Sequence, residues 1–113
     1  MDSCAFCRIV DGRSTAKLVY EDDLVVCFRD IRPQGPVHLL VIPRRHLRSL
    51  AEAGPEHEAL LGRLMLVASR VAREADLQEG FRTVINTGAE AGQTVFHLHL
   101  HVIGGRPMRW PPG

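Results

Sequence analysis

The sequence has no apolar run approaching the ~18–20 residues that a membrane-spanning helix requires. Its opening, Met1-Asp2-Ser3-Cys4, carries no basic stretch ahead of an apolar one, so no secretory leader is expected and a cytoplasmic location is. Charge of one sign is also lacking: 14 Lys and Arg against 13 Asp and Glu leave a net +1. With no cationic excess to displace counterions, nucleic acid is not an expected partner. A small anion stays possible, because it needs local donors and not a charged surface. Cysteine is scarce and odd in number, three in all. That count fits a disulfide framework poorly and suits reduced thiols or a metal. Repeats and low-complexity stretches are absent.

What is present is an ordinary globular composition, 45% apolar and 24% charged over 113 residues. That length predicts one domain over 1–113, long enough to bury a core without disulfides. Within it, 1–12 is an N-terminal segment holding a Cys-x-x-Cys pair, and 104–113 is an extended tail too rich in proline for regular structure. Cys4 to Asp11 reads as a short helix ended by Gly12. Leu18–Tyr20 and Leu24–Arg29 read as strands about an acidic turn, and Arg32 to Pro36 as a loop. Val37–Ile42 is a third strand, stopped by Pro43. One long helix is predicted over Glu56–Ala75, where Leu60, Leu61, Leu64, Val67, Ala68, Val71 and Ala75 form an apolar stripe. Phe81–Asn86 and His97–Ile103 complete the set. Hairpin-like links between the early strands favour an antiparallel sheet of about five strands with the helix on one face, an α+β plan.

The chemistry concentrates in His97-Leu98-His99-Leu100-His101. Strand alternation puts the three imidazoles on one face, ~6.6 Å apart at a rise of ~3.3 Å per residue, a spacing that suits groups around one phosphate. Neutral imidazole is a nucleophile near neutral pH, and the protonated ring donates to phosphate oxygens or to a leaving group. A metal site of two or three histidines is the competing reading of the same residues. Cys4 and Cys7 have the spacing of a metal knuckle or of a redox pair, although no βαβ setting accompanies them. Cys27, inside a strand pattern, reads as a small buried apolar residue, and His57 as exposed and uninvolved.

The pattern His-apolar-His-apolar-His-apolar-apolar resembles the signature of the histidine triad (HIT) family of nucleotide hydrolases and transferases. Phe28-Arg29-Asp30-Ile31, the run from Pro36 to Pro43, Asn86, Gly92-Gln93-Thr94 and the ending Gly104 to Gly113 extend the likeness, to the Hint branch, over essentially the whole chain. The resemblance implies a HIT-like fold and hydrolysis of purine nucleoside phosphoramidates, of AMP-amine or AMP-lysine type, without an organic cofactor. By that resemblance His99 attacks the α-phosphorus, and a nucleotidyl-histidine forms and is hydrolysed to an AMP- or GMP-type monophosphate. His101 binds phosphate and protonates the amine, Thr94 assists, and His38 supports the triad. Asp30 holds the ribose; Phe6, Ile9, Phe28 and Ile31 form the purine slot; Asn86, Gly92, Thr94, His99 and His101 lie by the phosphate. Thr94 departs from the family's usual serine, keeping the hydroxyl and adding a methyl. Without the resemblance, Asp30 reads as a turn or cap residue and the apolar four as core.

A closed structural zinc site needs four ligands, so two histidines have to join Cys4 and Cys7. His46 and His97 are the best candidates, and related histidine triad proteins carry this Cys, Cys, His, His set. The resemblance further implies a homodimer in which sheets and long helices meet across a two-fold axis, with Trp110 reaching toward the partner's active site; packing on its own subunit is the other reading of that ring. Alternatives to the phosphoramidase reading are a nucleotide-binding regulatory or scaffold protein, a hydrolase of adenylates or dinucleoside polyphosphates, and a metal-dependent hydrolase.

Overall fold

The computed structural model describes residues 4–113, so Met1 to Ser3 of the N-terminal segment lie outside it. The order of elements is α1 (Ala5–Val10), β1 (Leu18–Glu21), β2 (Val25–Arg29), β3 (Val37–Pro43), α2 (Glu58–Glu74), β4 (Phe81–Val84) and β5 (Leu100–Gly104). The strands form one antiparallel sheet in the order β1-β2-β3-β5-β4. The α+β plan with about five strands, one long helix and a short N-terminal helix is therefore what the chain adopts. Because β5 inserts between β3 and β4, the strand bearing the last triad histidine lies in the sheet interior.

Two apolar layers sandwich the sheet. On one face α2 buries Leu64, Val67, Ala68, Val71 and Ala72 against Val25, Cys27, Leu39, Val41, Leu98, Leu100 and Val102. On the other, Phe6 of α1 joins Val26, Phe28, Leu40 and Ile42, with Cys4, Ile9, Val10 and Val95 packed around them. Odd-numbered residues of β2 and β3 thus face the long helix and even-numbered ones face α1. Burial on both faces is why β3 is a continuous apolar run, a pattern more usual for parallel strands. His38, an even position, consequently faces the α1 side.

Several expected boundaries shift. The helix begins at Glu58, because Pro55–His57 form a separate 3-10 turn. Pro43 does not stop β3 but is its last residue, opposite Val25. β4 ends at Val84, two residues early. The last ladder begins at Leu100 and not at His97. The backbone there finds other partners: the Leu98 amide donates to Leu47 O at 2.6 Å, and the His97 carbonyl accepts from its own chain's His99 ring. The alternation of faces nevertheless persists through the unpaired stretch, since Leu98 shares the helix-side core with Leu100 and Val102.

Candidate active site and metal centre

Each triad histidine has a different hydrogen-bond environment, and the environment fixes which nitrogen is free. His99 Nδ1 stands 2.7 Å from the carbonyl of His97. A carbonyl only accepts, so Nδ1 carries a proton and, in the neutral ring, Nε2 holds the lone pair. His97 is wholly buried, and its Nε2 donates to Pro43 O at 2.8 Å. Its lone pair is therefore on Nδ1, which points at Cys4 Sγ (3.5 Å), Cys7 Sγ (3.6 Å) and His46 Nδ1 (3.2 Å).

His101 belongs to a directed chain. The Gln34 amide can only donate, and it meets His38 Nδ1 at 3.0 Å. His38 must then hold its proton on Nε2, 2.8 Å from His101 Nδ1 and 3.3 Å from Asp30 Oδ2. With Nδ1 accepting, neutral His101 carries its proton on Nε2, a buried atom with no hydrogen-bond partner among the described residues. Burial, then the neighbouring His99 and His38 rings, pushes its pKa down to about 4, against a weaker upward pull from Asp30. Burial likewise lowers that of His38, again opposed by Asp30. The site therefore presents an unprotonated nitrogen on His99 and an N–H on His101, their rings 5.0 Å apart.

Cys4, Cys7, His46 and His97 bring four ligand atoms within 4.8 Å of one another. The short helix α1 arranges the thiols: Cys4 is its N-cap, and its sulfur accepts from the Cys7 amide at 3.3 Å. His46 follows the end of β3, placing Nδ1 3.2 Å from Cys7 Sγ. Two thiols and two imidazole nitrogens, one with its lone pair already aimed inward, suit a tetrahedral zinc ion. A second cluster, Asp30, His38 and His101, is also compact. Its close contacts are accounted for by the donor-to-acceptor chain above.

Not every expected site residue converges. Phe6 and Phe28 meet edge to face at 5.3 Å and are core, Ile9 is half-buried, and Ile31 is 91% exposed. Asp30 is itself a turn residue, since Oδ1 accepts the Arg32 amide at 2.8 Å. Thr94 is exposed and lines a cleft of about 610 Å³ with Cys4, His46, Arg48, Glu52 and Phe96. Asn86 is half-buried in the loop after β4, and Gly92 adopts a left-handed conformation with φ +93°. Gln93 was not expected to matter yet is buried at 3% exposure. It accepts from the Gly88 amide and donates to Arg48 O and Val95 O, fastening the loop that presents Thr94. A long polar side chain flanked by small loop residues was the available signal. His57 is not exposed, as its place near a helix start suggested: its Nδ1 accepts the Gly54 amide at 2.9 Å and the residue is 4% exposed. Cys27 is fully buried, and burial pushes its thiol up to about 12.

The HIT domain model matches residues 11–108. The chain belongs to the HIT family. A HIT family hydrolase from Legionella pneumophila has the same fold at a TM-score of 0.96, with 42% identity over 98% of this chain and 100% of that one. The 14 kDa zinc-binding protein of Brassica juncea is 51% identical over 96% of this HIT chain and 97% of its own. A Zn-bound histidine triad family protein from Mycobacterium smegmatis superposes at a TM-score of 0.80, with 42% identity over 93% of this chain and 76% of that one.

Proposed function

We propose that this HIT protein hydrolyses purine nucleoside phosphoramidates through a covalent nucleotidyl-histidine on His99, releasing a nucleoside monophosphate. The observation that carries the reading is the pairing of the His99 ring, whose Nδ1 is engaged, with a His101 Nε2–H that has no partner among the described residues. His99 Nε2 attacks the α-phosphorus, and as the P–N bond breaks the amine takes the proton from His101 Nε2 while a water gives one back to that nitrogen, so the ring stays neutral. His38 Nε2–H, hydrogen-bonded to His101 Nδ1, stabilises the ring through the transfer. The hydroxide that remains then attacks phosphorus and frees His99 with the monophosphate. Thr94 contributes its hydroxyl on the leaving-group side, with Asn86 and Gly92 near the phosphate. Asp30 turns its remaining lone pairs to the ribose hydroxyls, and Phe6, Ile9, Phe28 and Ile31 border the purine. The Legionella relative's designation as a hydrolase supports a hydrolytic outcome.

Cys4, Cys7, His46 and His97 would hold one structural zinc ion, as the names of the Brassica and Mycobacterium relatives support. When bound, the ion supplies rigidity and no reacting group: it ties α1 to the start of the triad. Reduced thiolates are then required, consistent with action in the cytoplasm. The working unit is the single domain over 1–113, acting as a homodimer. Met65 and Leu66 on α2, Phe81 on the edge strand β4 and Trp110 in the tail are exposed at 51%, 71%, 42% and 82%, apolar side chains available to a second copy.

The test is mass spectrometry of the protein mixed with an AMP-amine phosphoramidate. A nucleotidyl adduct on His99, lost together with turnover in His99→Ala, is expected. Nucleotide binding without turnover would favour a regulatory role. Activity abolished by chelation, with no adduct trapped, would favour metal-dependent hydrolysis.

A further inference from the structure

The chain of hydrogen bonds that sets the His101 proton does not begin at His38. It begins in the C-terminal tail. Arg106 clamps the carbonyl of Gln34 with two donors, Nε at 3.0 Å and Nη2 at 2.8 Å. A third, Nη1, reaches the carbonyl of the adjacent Pro107 at 3.2 Å, so all three nitrogens of the guanidinium donate to backbone. Gln34 is also the residue whose amide reaches His38 Nδ1. One side of Gln34 is thus fixed by the tail and the other meets the buried histidine.

The loop has no slack to make this contact otherwise. A Cβ at Gly35 would lie 3.1 Å from Ile103 Cγ2, 3.3 Å from Gly104 O and 3.5 Å from Arg106 Nε. Gly105, at φ +90°, approaches from the opposite side, where a Cβ would come within 2.8 Å of Pro36 Cβ. The loop from Arg32 to Pro36 therefore sits directly on the end of β5, the strand that carries His101, with a glycine on each surface.

We infer that Arg106 is a positioning residue for the His101 proton, acting through Gln34 and His38. The inference rests on the reading of His101 as the proton donor. The logic is one of tautomers. While the Gln34 amide donates to His38 Nδ1, the His38 proton is confined to Nε2, His101 Nδ1 is an acceptor, and the His101 proton stays on Nε2. Releasing Gln34 removes the only fixed donor in the chain. His38 and His101 can then exchange to the opposite tautomers, in which His101 presents a lone pair where a proton is needed. Arg106 touches neither reacting atoms nor nucleotide in this scheme.

The test compares Arg106→Met, Arg106→Lys and Gly35→Ala with the parent protein by nitrogen-15 NMR of the imidazoles and by phosphoramidate kinetics. The parent is expected to show His38 and His101 as Nε2–H tautomers. Arg106→Met should give mixed tautomers at both, with kcat lower by about 10-fold or more, a share of the ~10²–10⁴ that general acid catalysis supplies. KM should change less than kcat, since Arg106 itself touches neither ribose nor purine. Arg106→Lys retains one donor and should recover part of both signals. Gly35→Ala, which lifts the loop by a different route, should reproduce the tautomer mixture. Unchanged imidazole signals in Arg106→Met overturn the inference, whether or not the variant melts earlier. If the parent protein turns over no phosphoramidate, the proposed activity falls while the NMR comparison still decides the role of Arg106.

Discussion

The ring of Phe6 meets that of His99 almost at right angles, 87°, with centroids 5.1 Å apart. Phe6 lies in the chain between Cys4 and Cys7, and it also packs edge to face on Phe28 and on His97. The proposed metal centre and the proposed nucleophile therefore share one aromatic wall. Chelation should strip one zinc per chain and destabilise the fold by about 3 kcal/mol at a metal concentration 100-fold over Kd. That corresponds to a fall in Tm on the order of 10 °C for a domain of this size. Turnover should fall too, through a loosened α1, without vanishing. Calorimetry with and without chelator, alongside Cys7→Ser, checks this; a Tm indifferent to both would remove the metal from the account.

Phe28 and Ile31 are three residues apart, yet they should respond in opposite ways. Phe28 is 4% exposed within the α1-side cluster, whereas Ile31 is 91% exposed. Phe28→Ala should cost about 3–5 kcal/mol, the range for emptying a buried aromatic site. Ile31→Ala should leave stability within about 0.5 kcal/mol and raise KM for the nucleotide, if the side chain borders the purine. Urea denaturation and steady-state kinetics on the two variants separate the roles. A stability loss at Ile31, or an unchanged KM, would remove it from the slot.

Periodicity carried most of the fold. The stripe from Leu60 to Ala75 and the branched run Val37–Ile42 each marked a real element, because burial alone decides those residues. Alternation also correctly put His97, His99 and His101 opposite Leu98, Leu100 and Val102. What could not be read was where each imidazole proton goes. That depends on groups distant in sequence: Pro43 for His97, and Gln34 by way of His38 for His101. The same holds for His57, whose local setting near a helix start looked solvated. Its Nδ1 instead accepts an amide three residues back, and the ring is buried. Spacing identifies which residues carry chemistry, and long-range contacts decide which form of each is present.

Asp22, from the acidic turn between β1 and β2, offers a control remote from the histidines. Its carboxylate accepts from the Tyr20 hydroxyl (2.7 Å), the Leu24 and Val25 amides (both 2.8 Å) and Arg63 of α2 (3.0 Å). Burial pushes its pKa up, but the hydrogen bonds from Tyr20, Leu24, Arg63 and Val25 outweigh that and hold it at about 2, below the ordinary 3.8. A depressed carboxylate contributes stability above the unfolded value and loses it as pH falls from about 4 through about 2. Asp22→Ala should therefore cost about 1–3 kcal/mol at neutral pH by orphaning the turn amides, with kcat and KM unchanged. Loss of turnover in a folded Asp22→Ala would mean that the turn communicates with the site.

His101 makes stability depend on pH where a simple surface histidine does not. Burial, then repulsion from the His99 and His38 rings, depresses it from 6.5 to about 4. The unfolded chain takes up that proton near 6.5, while the folded chain refuses it until about 4. Above pH 6.5 neither state is protonated and the group is neutral to stability. Between 6.5 and 4 the unfolded state binds more protons, so stability falls as pH falls, by about 1.4 kcal/mol per unit for one group. His38, which burial also lowers, adds to the measured slope, so the informative quantity is a difference between proteins. His101→Gln removes one titrating ring while keeping a donor of similar reach. From pH 7 to pH 5 the parent protein should lose up to about 2 kcal/mol more than His101→Gln in urea titrations. Equal losses would mean that folded His101 titrates like a solvated imidazole, and its unpartnered Nε2–H would then not be held ready for a leaving group.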